Sequence, residues 1–132
     1  MANVTRLQGR LIRAGRGEGR ALVSPEPIGF LGGVDPETGI VVEPNHPLLG
    51  QSVSGRVLVF PTGKGSTVGS YTILRLARNG VAPAAIVNAE SEAIVAVGAI
   101  IGDIPMVDQV PIALIRDGDW VVVQDGVVEI HD

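Results

Sequence analysis

Short apolar runs separated by glycine, proline and aspartate residues recur along the whole chain. In the outer thirds these runs have the length and β-branched content of strands, and the pair Asp125-Gly126 between two of them is typical of a hairpin turn. The strands predicted there cover residues 7–14, 20–23, 40–42, 113–115, 120–123 and 127–130. Both outer thirds are therefore expected to consist mainly of β-structure.

The middle third alternates between strand and helix patterns. Its predicted strands lie at residues 57–60, 84–87 and 104–107, and its predicted helices at residues 67–79 and 89–99. Gly80 is the expected stop of the first helix, and Asn88 is the expected N-cap of the second. Glu90 and Glu92 follow in the first turn of that helix, where acidic side chains favour the helix dipole. The β-α-β-α-β order favours parallel strands joined by right-handed crossovers.

Together these elements predict a strand-rich α/β fold in a single domain over residues 1–132. The loops that follow parallel strands open at one edge of the sheet, and ligands of open α/β sheets bind at that edge. The turns at 61–66 and 88–91 are therefore expected to face one site.

The composition excludes several classes of protein. The chain has no cysteine, so it cannot form a disulfide or hold a thiolate-bound zinc ion or iron–sulfur cluster. It has only two histidines, His46 and His131, so a histidine-rich metal site is not expected. A net charge of −4 and an aromatic content of 3% argue against nucleic-acid binding. The longest apolar stretch, residues 93–101, is too short to cross a membrane, so a cytoplasmic protein is expected. The mean hydropathy of +0.36 indicates either a dense core or a surface buried against a partner.

The most informative segment is the glycine-rich turn Gly-Lys-Gly-Ser-Thr at residues 63–67, between the first central strand and its helix. Such a turn points free backbone N–H groups and the positive end of the helix dipole at whatever lies in front of it. Lys64 and Ser66 lie in this turn, so an anionic ligand or a developing alkoxide suits it. The alternative is that Ser66 only caps the helix, although capping requires neither flanking glycines nor a lysine.

Two familiar kinds of chemistry do not fit this turn. The P-loop pattern fails because Leu58 stands where its first glycine is needed and Gly65 stands where its serine or threonine is needed. The pattern Gly-x-Ser-x-Gly is absent around Ser66, and His46 lies in a predicted loop, where a solvated or structural role is expected.

This chain alone cannot make Ser66 a base at neutral pH. A helix N-terminus stabilises an anion by about 0.3–1 kcal/mol, or up to about 2 kcal/mol in a buried site. That free energy lowers a pKa by at most about 1.5 units, and even a similar contribution from Lys64 leaves a serine hydroxyl far above neutrality. More positive charge must come from outside the chain, from a metal centre or a partner's basic side chain.

The turn at 63–67, together with Phe-Leu-Gly-Gly-Val-Asp-Pro at 30–36, resembles the small subunits of archaeal phosphomevalonate dehydratases, the swivel-domain half of the aconitase X group. The similarity covers nearly the whole chain, including residues 82–86 and 98–99. Members of the family commonly have Gly-Lys/Arg-Gly-Ser-Ser, and here the last residue is Thr67, which keeps a hydroxyl.

The resemblance implies the swivelling β/β/α fold, a barrel-like sandwich of short strands, which agrees with the predicted β-α-β-α-β centre. It also implies a heteromer in which a large subunit carries the cysteines and the iron–sulfur cluster, so that this chain itself holds no metal or cofactor. The implied reaction is dehydration of (R)-5-phosphomevalonate to trans-anhydromevalonate 5-phosphate in the archaeal mevalonate pathway. The cluster would act as a Lewis acid on the leaving hydroxyl.

The same resemblance assigns roles to the residues of the turn. Ser66 matches the family's proton acceptor and would take the proton next to the substrate carboxylate. The backbone N–H groups of Gly65 and Thr67 would stabilise an alkoxide or a substrate oxyanion. Lys64 would hold an anionic group of the substrate.

Two alternatives remain open. Some members of the group resemble dehydratases of cis-3-hydroxy-L-proline, a substrate that carries an amine and no phosphate. The second alternative is a non-catalytic swivel or structural subunit that only closes the partner's active site. Phosphohistidine carriers share a similar fold, but they need a histidine in the glycine-rich turn, where this chain has Ser66.

Overall fold

The structure, a computed structural model, describes residues 3–131, which contain eight strands, two α-helices and one short 3-10 helix. The strands are β1 (Val4–Gln8), β2 (Arg10–Arg13), β3 (Arg16–Val23), β4 (Val57–Phe60), β5 (Ala85–Asn88), β6 (Met106–Asp108), β7 (Trp120–Gln124) and β8 (Val127–His131). The α-helices are α1 (Gly69–Arg78) and α2 (Ala93–Ile101), and the 3-10 helix is Ile112–Leu114. Neither α-helix in this part of the chain has the length and hydrophobicity needed to cross a membrane.

The eight strands form one mixed sheet in the order β1-β8-β7-β3-β4-β5-β6-β2. β3 to β6 run parallel, with α1 and α2 as crossovers after β4 and β5, which confirms the predicted β-α-β-α-β unit. β3 joins the two halves of the sheet, because residues 16–20 pair with β7 and residues 21–23 pair with β4. β1 and β2 stand at opposite ends of the strand order and, within residues 3–131, do not pair, so the sheet is not a closed barrel.

Two hydrophobic cores cover the two faces of the parallel strands. Val57 and Val59 of β4 pack in the core shared with β7 and β8, while Leu58 and Phe60 pack in the core shared with α1 and α2. All four side chains are fully buried, as expected for a strand that is covered on both faces. The two halves of the sheet therefore form two β-layers, and the helices form the third layer, which confirms the expected β/β/α fold.

The hairpin predicted at Asp125-Gly126 joins β7 to β8. These two residues have φ angles of 48° and 90°, the positive values that a tight two-residue hairpin requires. The ladder runs from Gln124 opposite Val127 to Trp120 opposite His131.

The strand predicted at residues 40–42 is wrong. Ile40 and Val41 make only isolated bridges, to Ser52 and Val34 respectively. Turns lie close on both sides of this segment, and each one redirects the chain before a ladder can extend.

The strand predicted at residues 113–115 is also wrong. The chain turns there into the 3-10 helix, in which the N–H groups of Leu114 and Ile115 donate to the carbonyls of Pro111 and Ile112. The predicted strand at 7–14 is divided at Gly9, whose N–H donates to the Gly126 carbonyl at 2.9 Å as the chain passes from one half of the sheet to the other.

Candidate functional site

The glycine-rich turn is held against the loop that carries the second motif. Ile28 and Gly63 form a parallel bridge, and the Lys64 N–H donates to the Ile28 carbonyl at 3.1 Å. At the start of α1, a Cβ atom added to Gly69 would lie 3.7 Å from the Leu31 nitrogen. The motifs at 30–36 and 63–67 are therefore neighbours in space.

Ser66 is exposed and lies ahead of α1 rather than at its N-cap. The N-cap residue is Val68, which makes no side-chain capping bond, and the first turn of α1 contains no acidic residue. The Ser66 hydroxyl oxygen accepts a hydrogen bond from the Val68 N–H at 3.2 Å, which forms a local turn. Its O–H group has no acceptor among residues 3–131, so its proton faces solvent.

Three consecutive backbone N–H groups of this turn, those of Gly65, Ser66 and Thr67, also lack an acceptor within residues 3–131. Gly65 has a φ of 92°, a conformation that favours glycine and turns the backbone sharply at this point. The three amides and the N-terminal end of α1 make an electropositive patch beside the Ser66 hydroxyl. A carboxylate, a phosphate or a developing oxyanion fits such a patch.

Lys64 is the only lysine in the chain, and its side chain is 49% exposed. Its Nζ lies 3.1 Å from Oε1 of Glu43, so part of its positive charge is already neutralised. Glu43 could not be predicted at this site from the sequence, because nothing local places it beside the glycine-rich turn. An anionic substrate that binds Lys64 therefore has to share it with Glu43.

His46 has a structural role in the same loop. Its Nδ1 accepts from the Leu48 N–H at 3.1 Å, so Nε2 carries the proton and donates to the Pro27 carbonyl at 3.1 Å. Both imidazole nitrogens are thus hydrogen-bonded to the backbone, which agrees with the structural role expected of His46. His131 instead lies 2.8 Å from the Glu129 carboxylate on β8, outside both motifs.

The second strand-to-helix turn, residues 89–92, is closed by its own side chains. The carboxylate of Glu92 caps α2 and accepts from the N–H groups of Ile94 and Val95 at 2.9 and 2.8 Å. The same carboxylate fills the space beside Gly63, where any Cβ atom would collide with it. The two turns therefore adjoin, as the parallel strands predicted, but the anionic group of the second turn is already bonded to its own helix.

The predicted N-cap role of Asn88 is wrong. Asn88 is the last residue of β5 and is fully buried, and its Nδ2 donates to the Phe60 carbonyl at 3.1 Å. α2 begins only at Ala93, beyond the reach of this side chain. Asn88 instead ties the end of β5 to the end of β4, directly before the glycine-rich turn. Its Oδ1 is a buried acceptor without a hydrogen-bond partner among the described residues.

A buried carboxylate anchors the second turn to the sheet. Asp108, the last residue of β6, accepts from Nε and Nη2 of Arg10 at 2.9 and 2.7 Å and from the N–H and hydroxyl of Ser91 at 3.0 and 2.7 Å. Asp108 is fully buried, whereas the Arg10 side chain is 54% exposed. Burial raises the pKa of Asp108, but the Arg10 and Ser91 donors outweigh it and hold that pKa below its usual value. The Arg10–Asp108 pair could not be predicted from the sequence, since only the tertiary fold brings β2 beside β6.

The residues of this chain do not fit an iron–sulfur cluster. The sequence has no cysteine. Within residues 3–131, no three histidine, aspartate or glutamate side chains come close enough together to hold a metal ion. What the site offers is an exposed hydroxyl, three free amides and one ammonium group.

Comparisons with known proteins agree over almost the full chain. The sequence profile of one family, described as the aconitase X swivel domain, matches residues 6–130. A protein of Methanothrix thermoacetophila named phosphomevalonate dehydratase small subunit is 60% identical over 114 residues, which cover 85% of this chain and 83% of that protein. A protein of the same name from Methanosarcina acetivorans is 55% identical over 130 residues, covering 95% of this chain and 90% of that protein. A crystal structure of Thermococcus kodakaraensis aconitase X in its holo form has a TM-score of 0.93 and 54% identity, covering 96% of this chain and 98% of that chain.

Proposed function

This chain belongs to the aconitase X swivel-domain family, and on that premise we propose that it is the small subunit of a phosphomevalonate dehydratase. The reaction removes water from (R)-5-phosphomevalonate and gives trans-anhydromevalonate 5-phosphate, a step of a mevalonate pathway. The names of relatives that are 55% and 60% identical support this choice of substrate. The cis-3-hydroxy-L-proline reaction is the alternative, and it has no such support among these names.

One observation carries the proposal for the site. The exposed Ser66 hydroxyl lies next to three amides that have no acceptor among residues 3–131, at the N-terminal end of α1 and in a turn that also holds the chain's only lysine. A turn that served only to start a helix would need none of these features. The arrangement suits an oxyanion on Ser66 or on a bound substrate.

In the proposed reaction, Ser66 acts as an alkoxide and takes a proton from the carbon next to the substrate carboxylate. The electron pair of that C–H bond forms the new C=C double bond while the C–O bond of the hydroxyl group on the neighbouring carbon breaks. The leaving hydroxide takes up a proton from solvent to become water, and Ser66 returns its proton to solvent, which restores the alkoxide. The N–H groups of Gly65 and Thr67 stabilise the oxyanion charge. The Lys64 ammonium binds an anionic group of the substrate in competition with Glu43.

The alkoxide needs more positive charge than this chain supplies. The helix end contributes at most about 2 kcal/mol, or about 1.5 pKa units, and the Glu43 carboxylate, 3.1 Å away, shares the charge of Lys64. We therefore assign the remaining charge to a cysteine-bearing large subunit that holds an iron–sulfur cluster. When bound, that cluster supplies Lewis acidity toward the leaving hydroxyl.

A dehydration assay of the assembled enzyme tests the proposal. Wild-type chain mixed with its large subunit should convert 5-phosphomevalonate, and Ser66→Ala should lower kcat by about a thousandfold while gel filtration shows unchanged assembly. An active Ser66→Ala complex would reduce Ser66 to a turn residue and this chain to a structural subunit. Turnover of cis-3-hydroxy-L-proline in place of the phosphorylated substrate would overturn the assignment of substrate.

A further inference from the structure

The exposed side of α2 is unusual for a surface helix. Its nine residues, Ala93–Ile101, include no polar side chain. Val95, Gly98 and Ala99 are buried against the core, but Val97, Ile100 and Ile101 are 47%, 50% and 41% exposed. A helix that is apolar on every side belongs in a buried place, so something is expected to cover this face.

A groove of about 500 Å³ runs between α2 and α1 on the same side of the molecule. α1 lines it with Ser70, Tyr71 and Leu74, the preceding glycine-rich turn adds Thr67, and α2 lines it with Ala93, Ile94, Val97 and Ile101. Among residues 3–131, no charged side chain lines this groove, which we name the α1–α2 groove. Tyr71 stands 64% exposed at its wall, as a large amphipathic side chain of the kind that anchors protein interfaces.

We propose that the α1–α2 groove is the surface on which the large subunit docks, an inference that rests on the proposed function. Thr67 belongs both to the groove and to the catalytic turn. A partner that brings positive charge to Ser66 must approach this turn, and the uncharged groove continues directly from it. An apolar segment of the large subunit in the groove would fix the approach and cover α2.

A second copy of the chain suits the groove less well. A copy seated there would bring a chain with a net charge of −4 to the Ser66 turn, which needs additional positive charge. It would also bring no cysteine, because the sequence has none. Self-association is therefore an outcome of the test rather than the proposal.

The experiment measures the affinity of the purified large subunit from the same organism for single variants of this chain by titration calorimetry. Val97→Glu places a charge in the groove and should weaken binding by roughly tenfold or more. Val4→Glu is the matched control, because Val4 is 50% exposed but lies on β1, in the other half of the sheet, and its affinity should stay within about twofold. Tyr71→Lys is a second groove variant, to be used if Val97→Glu lowers the melting temperature.

Two results would overturn the docking inference. One is an unchanged affinity in both groove variants. The other is a self-associated wild type that Val97→Glu converts to monomers without any effect on the large subunit. Binding is measured apart from turnover, so a complex that depends on Val97 but dehydrates nothing would overturn the proposed function alone. An active enzyme whose assembly ignores Val97 would overturn the docking surface alone.

Discussion

The two strand-to-helix turns of the central unit have the same topology and opposite states. Each leaves a parallel strand at the same edge of the sheet and leads into a helix that packs on the same core. In the 89–92 turn, Glu92 binds two amides of α2 and Ser91 is bonded to Asp108. In the glycine-rich turn, no side chain caps α1, and the amides of residues 65–67 have no acceptor in the described part of the chain.

This difference separates a structural turn from a turn that is available to a ligand. The fold supplies an electropositive helix start twice. One start is neutralised from within by a carboxylate, which stabilises the domain. The other is left open beside a hydroxyl and a lysine, and its free amides retain their capacity to bind an oxyanion.

The strongest way to break the closed turn is Asp108→Asn, which leaves the bound Arg10 without its counter-charge. We expect the free energy of unfolding to fall by about 2–3 kcal/mol, the typical loss of hydrogen bonds to a charged group, because the half-exposed Arg10 side chain remains hydrated. Asp103→Asn is the matched control, because the Arg13–Asp103 pair has a similar distance of 2.9 Å but an 81% exposed carboxylate. Asp103→Asn should lower the free energy of unfolding, measured with urea, by at most about 1 kcal/mol. If both variants lost the same free energy of unfolding, the anchoring role of Asp108 would be contradicted.

The same pair predicts a pH dependence. The pKa of Asp108 is lowered in the folded protein, so its contribution is fully present above the pKa of an unfolded aspartate, about 4. The contribution is lost as the pH falls through the lower folded-state pKa. The stability gap between wild type and Asp108→Asn should therefore be constant from about pH 5 to 8 and shrink below about pH 4. A gap that instead grew in acid would show that the carboxylate is not the stabilising form.

Lys64→Met sharpens the comparison on the open side. Loss of one charged hydrogen bond to an anionic substrate corresponds to about 1.5–2 kcal/mol, so KM should rise by roughly ten- to thirtyfold. Glu43→Gln removes the competing carboxylate and should lower KM, because Lys64 is then free for the substrate. KM is measured by steady-state kinetics of the assembled enzyme. Equal KM values for wild type, Lys64→Met and Glu43→Gln would exclude Lys64 from substrate binding.

Glu92→Ala is expected to have the smallest effect of these substitutions. It opens the N-terminus of α2 and should reduce the free energy of unfolding by about 1 kcal/mol, a typical loss for a helix cap. Glu90→Ala serves as the control, since this neighbouring carboxylate is exposed and does not cap the helix. Thermal unfolding of the two variants gives the comparison, and an equally stable Glu92→Ala protein would mean that the two turns differ less than their hydrogen bonds indicate.

The sequence predicted the parts of the fold that depend on local pattern. Residues 57–60, a continuous apolar run, and the Asp125-Gly126 hairpin lie where they were expected. The glycine-rich turn was also recognisable, because its glycines, lysine and serine are contiguous. Such patterns lie within a few neighbouring residues, and the local structure that they favour does not depend on long-range partners.

The parts that could not be predicted depend on long-range partners. Asn88 has the side chain of a helix cap, but burial between β4 and β5 turns it toward the Phe60 carbonyl. The Asp108–Arg10 and Lys64–Glu43 ion pairs form only when the chain has folded. No short window of sequence contains these pairs, so the state of each turn, closed or open, is a property of the tertiary structure.

The most direct test of the central claim compares the two serines of the two turns by the same substitution. Ser66→Ala and Ser91→Ala are each assembled with the large subunit, and kcat for 5-phosphomevalonate and the melting temperature of the free chain are measured side by side. Ser66→Ala should lose about a thousandfold in kcat with an unchanged melting temperature, as expected for a lost proton acceptor. Ser91→Ala should keep its kcat and lose about 1 kcal/mol of stability with its bond to Asp108. If Ser91→Ala impairs turnover as severely as Ser66→Ala, or Ser66→Ala remains active, the distinction between an open catalytic turn and a closed structural turn is wrong.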